Sequence, residues 1–250
     1  MKIVACIKRV PTTDAQAKIG ADGKSLDAAG FQYMTSFYDE IAVEQAIQTK
    51  EALGGEVTVL TLGPSEASKE VRECIAKGAD GGVILTDADW SQRDNLSTAK
   101  VLAAKLTEMG AELAFFGKVA TDRDNNAVGA MTATKLGWAC VTDVSAVELT
   151  AEGGTAKRET ESGVETVSFS LPAILTCDKG LNEPRYAGLK GIMAAKKKPL
   201  DEESFEDVAG QAQVEGLELP APRKEGRIVG EGPEAVAALV DALRNEAKVL

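Results

Sequence analysis

Four short, near-continuous apolar runs rich in β-branched residues, Ile3 to Ile7, Val57 to Leu62, Val83 to Thr86 and Leu113 to Phe116, alternate with helical periodicity through the first half of the chain. Runs of this kind suit strands covered on both faces. Between them Ile41, Ala42, Ala46, Ile47 and Leu53 recur at helical spacing and stop at Gly54-Gly55. Val71, Cys74, Ile75 and Ala79 mark a second helix ending near Gly78, and Leu96, Val101, Leu102, Leu106 and Met109 a third ending at Gly110. Glycine after the last periodic residue is a helix stop. Strand and helix in strict alternation predict an α/β fold: a parallel sheet with helices on both faces.

The pattern changes after a loop and helix spanning residues 122–136. Val141 to Leu149, Lys157 to Glu161, Glu165 to Phe169 and Ala173 to Thr176 predict an antiparallel meander, with Gly153-Gly154 and Ser162-Gly163 as turns. A short hairpin is expected in the first crossover, where Lys18-Ile19 and Ser25-Leu26 flank an Asp22-Gly23 turn signal. Residues 200–225 carry three prolines and little periodicity, which reads as an extended arm. A final helix is expected from about Pro233 to Lys248, since proline suits a first helical turn.

With 250 residues, 44% of them hydrophobic, the chain can build one large α/β domain with appendages. A net charge of −11 argues against nucleic acid as a partner, because phosphate backbones need a basic face. No apolar run is long enough for a membrane-spanning helix. The chain has no histidine, and its four cysteines stand far apart without a CxxC pair, so a metal site is not expected. The missing histidine also removes the commonest general base. A binding protein fits this composition better than a hydrolase.

Two segments stand out. Gly117 to Thr132 is a polar loop that follows a strand and enters an Ala-rich helix. Phosphates bind at such places, because free N–H groups and the helix dipole favour anions. The same residues also read as an ordinary connection capped by Asp124 or Asn125, and neither GxGxxG nor a Walker A pattern decides between the two. The second segment, Leu181 to Pro199, has a proline-containing turn, a short amphipathic stretch with Leu189, Ile192 and Met193, and the triplet Lys196-Lys197-Lys198. It reads equally as a helix whose last-turn cations complement its dipole or as a docking element that steers toward an acidic partner. Asp39, Glu40 and Glu44 read as dipole complements of the first long helix, and Trp90 and Trp138 as packing residues.

Leu171-Pro-Ala-Ile-Leu-Thr176, Leu181-Asn-Glu-Pro-Arg-Tyr186 and Ala194-Ala-Lys-Lys-Lys-Pro199 closely resemble the signature region of the electron-transfer flavoprotein β subunit. Further matches are Lys8-Arg9-Val10, Glu40-Ile-Ala-Val-Glu44, Gly63-Pro64, Lys77-Gly-Ala-Asp80, Gly117-Lys118, and Asn126 with Gly129, so the resemblance spans nearly the whole chain. It implies a Rossmann-like, adenine-nucleotide-binding core with a small antiparallel β extension. Residues 1–200 would form that domain, and residues 201–250 an arm and helix packing on a partner subunit.

The resemblance further implies an electron carrier, not an enzyme. It would pair with a larger α subunit that holds most of a redox-active FAD, and would bury a structural AMP itself. The family's AMP loop maps onto Arg123, Asp124, Asn125, Asn126, Ala127, Val128, Gly129, Ala130, Met131, Thr132, Ala133 and Thr134, with further contacts at Cys6, Ser36, Phe37, Tyr38, Asp39 and Leu62. Its docking segment maps onto Tyr186 to Lys198, with Leu189 as the anchor beside Ile192, Met193, Lys196, Lys197 and Lys198. Glu165 matches an acidic position facing the α subunit near the flavin. Expected partners are acyl-CoA or related dehydrogenases as donors and the flavoprotein–quinone oxidoreductase as acceptor, in fatty acid oxidation. The expected compartment is bacterial cytoplasm, or the mitochondrial matrix for a processed chain.

Two departures, Thr35-Ser36-Phe37-Tyr38-Asp39 where many members have Asn-Pro-Phe/Tyr and Ala127 where many have Gln, leave backbone N–H groups as the contacts that carry over. A bifurcating carrier with a second FAD in place of AMP is the alternative within the family. A stand-alone adenine-nucleotide hydrolase or ligase is the alternative outside it. That enzyme would need a Ser-Gly-Gly-x-Asp loop where Lys8-Arg9-Val10-Pro11 stands.

Overall fold

The computed structural model describes residues 1–223 and 225–250. In chain order the elements are β1 (Lys2–Ile7), β2 (Arg9–Pro11), β3 (Tyr33–Thr35), α1 (Phe37–Leu53), β4 (Glu56–Gly63), α2 (Ser68–Lys77), β5 (Gly81–Thr86), α3 (Asn95–Met109), β6 (Leu113–Gly117) and α4 (Val128–Leu136). There follow β7 (Ala139–Leu149), β8 (Gly153–Thr160), β9 (Gly163–Ser170), β10 (Ala173–Cys177), α5 (Leu189–Ala195), β11 (Leu200–Glu203) and α6 (Val236–Asp241). Two compact units result, Met1–Gly216 and Leu217–Leu250.

Alternate residues of the buried strands feed two cores. Ile3, Ala5 and Ile7 of β1, with Leu113 and Phe115 of β6, pack with Ile41, Ala46 and Ile47 of α1 and Val71 and Ile75 of α2. Val4, Cys6, Ala114 and Phe116 point the other way, into Val101, Leu102 and Leu106 of α3 and Ala133 of α4. Burying one such aliphatic side chain contributes about 1.5–3 kcal/mol, so both faces of the sheet must be covered. The nine strands lie in the order β11-β5-β4-β1-β6-β10-β7-β8-β9. From β1 the chain moves outward through β4 and β5, then crosses back over α3 to place β6 on the other side of β1, parallel to it. That reversal is a topological switch point, where a cleft opens at the carboxyl ends of the strands.

The meander is three strands, not four. β7, β8 and β9 run antiparallel to one another in sequence, but Ala173–Cys177 returns to the main sheet as β10, parallel to both β6 and β7. Ala173 to Leu175 and Cys177 are fully buried, so this run belongs to the doubly covered class. The first four residues of the expected arm form β11, which pairs in parallel with β5 and extends the sheet edge. The expected hairpin reduces to one bridge, Ile19 with Leu26, whose turn is held by Asp22 Oδ1 accepting from the N–H groups of Lys24 and Ser25 at 3.0 Å each. β2 and β3 pair antiparallel beside it.

In the second unit α6 continues a 3-10 turn at Pro233–Ala235 and runs into a π-helical turn at Ala242–Glu246. None of the described residues of this unit is buried, and Ile228, Val236, Leu239 and Val249 are exposed. Among the described residues no helix is long and apolar enough to cross a membrane.

Candidate functional site

The cleft lies over the switch point. Its floor is Cys6, Ile7 and Lys8 from the end of β1, Leu62 from β4, and Phe116 and Gly117 from β6. One wall is the loop 118–127 with Val128 and Gly129 at the start of α4, and the opposite wall is Trp90, Arg93, Asn95, Thr98 and Leu102. The cavity measures about 120 Å³, well beyond the space one water needs, so it is sized for a molecule.

Asp39 holds the floor together. Its carboxylate, buried in the first turn of α1, accepts from Lys8 N–H at 2.7 Å through Oδ2 and from Gly117 N–H at 2.9 Å through Oδ1. The ends of β1 and β6 are therefore joined through one side chain. Burial pushes the Asp39 carboxyl up to about 7, against those hydrogen bonds. Gly117 has to be glycine, because a Cβ there would stand 2.3 Å from Asp39 Oδ1. The reading of Asp39 as a plain dipole complement gives way to this structural role. Burial, reinforced by Asp39, also raises the Cys6 thiol well above its usual value and keeps it unreactive.

The loop before α4 enters the helix through an irregular backbone. Asp124 and Asn126 have left-handed backbones, with φ of 48° and 45°. Among the described residues nothing accepts from the backbone N–H groups of Asn125 to Ala130, the first bond on this stretch running from Met131 N–H to Ala127 O at 2.9 Å. Neither Asp124 nor Asn125 caps α4. Ala127 occupies the cap position with no side-chain bond, and the Asn125 amide reaches Asn95 instead. Of the four cations lining the cleft, Lys8 is bound to Asp122, Arg93 to Asp87, and Lys118 to Asp143 and Asp178. Arg123 makes only carbonyl hydrogen bonds, to Ser91 and Arg93, and keeps its charge uncompensated among the described residues.

Cys6, Asp39, Leu62, Arg123, Asn125, Asn126, Ala127, Val128 and Gly129 thus converge on one cleft. Asp124 is exposed on the same loop, while Ala130, Met131, Thr132, Ala133 and Thr134 continue along α4 away from the lining. Ser36 is buried at the start of α1 and accepts from Thr121 N–H at 3.3 Å, bracing the loop from behind. Phe37 is half exposed and packs edge-on against Tyr38, outside the lining. The opposite wall, Trp90 included, escaped the sequence reading. Its only signal was position, a polar turn following a buried strand.

The second segment is a braced platform. Asn182 Nδ2 donates to Ile41 O at 3.1 Å, and Arg185 grips Glu44 and Glu51 of α1, with Nε 2.9 Å from Glu44 Oε2 and Nη1 2.6 Å from Glu51 Oε1. Arg72 donates to the carbonyls of Ala195 and Lys198 at 2.6 Å each, closing the end of α5. Gly191 lets α5 lie on α2, since a Cβ there would be 2.2 Å from Ala76 O. Held this way, the segment presents Tyr186 at 97%, Leu189 at 78% and Met193 at 60% exposure, with Ile192 beside them. Lys196 and Lys197 are exposed, whereas Lys198 is pinned to Ala79 O at 2.6 Å. Glu165, on β9, is exposed and faces Arg158 at 3.7 Å.

A switch-point cleft in a largely parallel, doubly covered sheet defines a doubly wound α/β protein, a class whose ligands bind beyond the strand ends. The model of the electron transfer flavoprotein domain matches residues 32–208. Over the full length of both chains, the sequence is 40% identical to the electron transfer flavoprotein subunit beta of Bradyrhizobium diazoefficiens, 35% to that of Bacillus subtilis, and 37% to the mitochondrial one of Oryza sativa subsp. indica. The chain belongs to the electron transfer flavoprotein family, on the β-subunit side.

Proposed function

We propose that this chain is the small subunit of a heterodimeric electron carrier, with AMP in its switch-point cleft. The larger α subunit would hold most of the FAD. The observation that carries the AMP reading is the run of unengaged N–H groups from Asn125 to Ala130 beside the uncompensated Arg123. A mononucleotide phosphate satisfies both, and each charge-assisted hydrogen bond is worth about 1.5–3 kcal/mol. The ligand stabilises the fold through linkage and does no chemistry. The exposed apolar side chains of the Leu217–Leu250 unit fit an arm that packs on the partner subunit.

Electrons arrive from acyl-CoA or related dehydrogenases that dock on the Leu189 platform, and leave to the flavoprotein–quinone oxidoreductase. Lys196 and Lys197 steer the encounter and Leu189 supplies a small buried anchor. Co-expression with the α subunit followed by nucleotide extraction tests the cofactor reading. One AMP and one FAD per pair is the expected result. Two FAD per pair replaces it with a bifurcating carrier, and a stable monomer turning over ATP replaces it with an enzyme. Leu189→Ala is expected to slow electron acceptance from the dehydrogenase about tenfold, in line with loss of about 1.4 kcal/mol of anchor, while the heterodimer assembles normally. Stopped-flow reduction by the dehydrogenase measures it, and an unchanged rate removes Leu189 from the docking surface.

A further inference from the structure

Arg72 belongs to α2, but its guanidinium closes the far end of the exposed platform. Nη1 donates to the carbonyls of Ala195 and Lys198 at 2.6 Å each, so one nitrogen bridges the last residue of α5 and the turn that enters β11. Both acceptors are main-chain groups of the kind a helix end leaves unpaired, and a cation there also complements the helix dipole. Beyond the bridge the chain is fixed. Lys198 Nζ reaches Ala79 O at 2.6 Å, and Pro199 O accepts from Gly82 N–H at 3.1 Å. α5 itself is only 7 residues long and starts after Gly188, which makes no side-chain cap. A helix that short does not hold its shape alone in water. Its order comes from α2, through the buried Ala195, the close passage of Gly191 over Ala76, and Arg72.

We propose that Arg72 is a positioning residue for partner docking, acting through α5 by holding it in the arrangement in which Leu189 and Met193 stand out together. The inference rests on the docking reading above. An anchor carried on a frayed turn has to be ordered during the encounter, and that ordering is subtracted from the binding free energy. Loss of the clamp therefore weakens association and leaves electron transfer within the docked complex as it was. In steady-state terms the KM for the heterodimer rises and kcat stays.

The test uses the heterodimer as electron acceptor for an acyl-CoA dehydrogenase, with rates measured against heterodimer concentration. Arg72→Ala is expected to raise KM about tenfold, the equivalent of two hydrogen bonds, with kcat within about twofold of native. Gly191→Ala probes the same support from the other side, since its Cβ would stand 2.2 Å from Ala76 O and lift α5 off α2. It is expected to raise KM in the same way and serves if Arg72→Ala does not assemble. Because Arg72 acts through the anchor, Leu189→Ala/Arg72→Ala should lose about tenfold in kcat/KM, as either change does alone, and not about a hundredfold. A role in general stability would leave the two effects additive. An unchanged KM in the folded variants, a loss in kcat in its place, or an additive pair overturns the proposal while Leu189→Ala still slows transfer. If Leu189→Ala itself has no effect, the docking reading falls, and this inference with it.

Discussion

Arg185→Ala is expected to destabilise the fold by about 3 kcal/mol and to release the segment that carries Leu189. Glu44 is buried at 3% exposure in α1, where both its oxygens accept from the Arg185 guanidinium, and Arg185 N–H also donates to Oε2 at 3.2 Å. Without the guanidinium, a buried carboxylate keeps only the Gln48 amide, at 2.8 Å, and the backbone N–H of residue 185. The Glu51 bond is lost as well, but that carboxylate is half exposed and rehydrates at little cost. Burial alone would raise the Glu44 carboxyl, yet the Arg185 bonds outweigh it and hold it below its ordinary 4.5. A depressed folded value stabilises above the unfolded one, so the contribution is present above about pH 4.5 and fades as pH falls through the lowered value. Urea unfolding should therefore show the loss in full at pH 7 and only part of it at pH 3.5. Glu44→Gln/Arg185→Ala should recover part of the loss, because no charge is then stranded. If Arg185→Ala unfolds within about 0.5 kcal/mol of the native chain, this ion pair does not brace the platform.

Much of this architecture was legible because strand burial leaves a mark in sequence. Ile3 to Ile7 and Leu113 to Phe116 are apolar at consecutive positions, since both faces of each strand are covered. Gly110 ends α3 in the left-handed conformation at φ 62°, as its place after the last periodic residue predicts. Ala173–Cys177 carried the same mark, but its neighbours in sequence were hairpin strands, and only pairing over a long separation sends it between β6 and β7. The loop before α4 was visible as a polar run entering a helix. Its opposite wall was not, because Trp90 looks like any surface turn, and Asn95 and Thr98 like any polar start of a helix, until the β5–α3 crossover brings them opposite α4. Asp39 and Glu44 were misjudged for one shared reason. A carboxylate near the start of a helix looks the same whether it meets solvent or a buried partner, and the partners, Lys8, Gly117 and Arg185, are remote in sequence.

Asp39→Asn separates the structural role of that carboxylate from its charge. In the fold the carboxyl is pushed up to about 7 from its ordinary 3.8. Burial is the main cause. The Lys8 ammonium and the two N–H bonds oppose it, and the Asp122 carboxylate adds to it. Between those two values the folded chain binds the proton more tightly than the unfolded one, so stability falls as pH rises from about 4 to 7, by roughly 4 kcal/mol through this group alone. Asparagine stays neutral and removes that slope. It also keeps just one carbonyl oxygen, so one of the two strand-end N–H groups loses its acceptor, costing about 1–3 kcal/mol at every pH. The native and variant stability curves should therefore cross. The variant is weaker at pH 4 and stronger at pH 8, with the crossing between about pH 5 and 7. The same substitution removes a negative charge from the floor of the cleft, so under the proposed nucleotide reading AMP affinity at pH 8 should rise. Urea titrations at half-unit pH steps read the first effect and isothermal titration with AMP the second. Parallel stability curves for the two proteins would mean that Asp39 is ionised in the fold at ordinary carboxylate pH, and that the strand ends are joined by a charge the cleft has already neutralised.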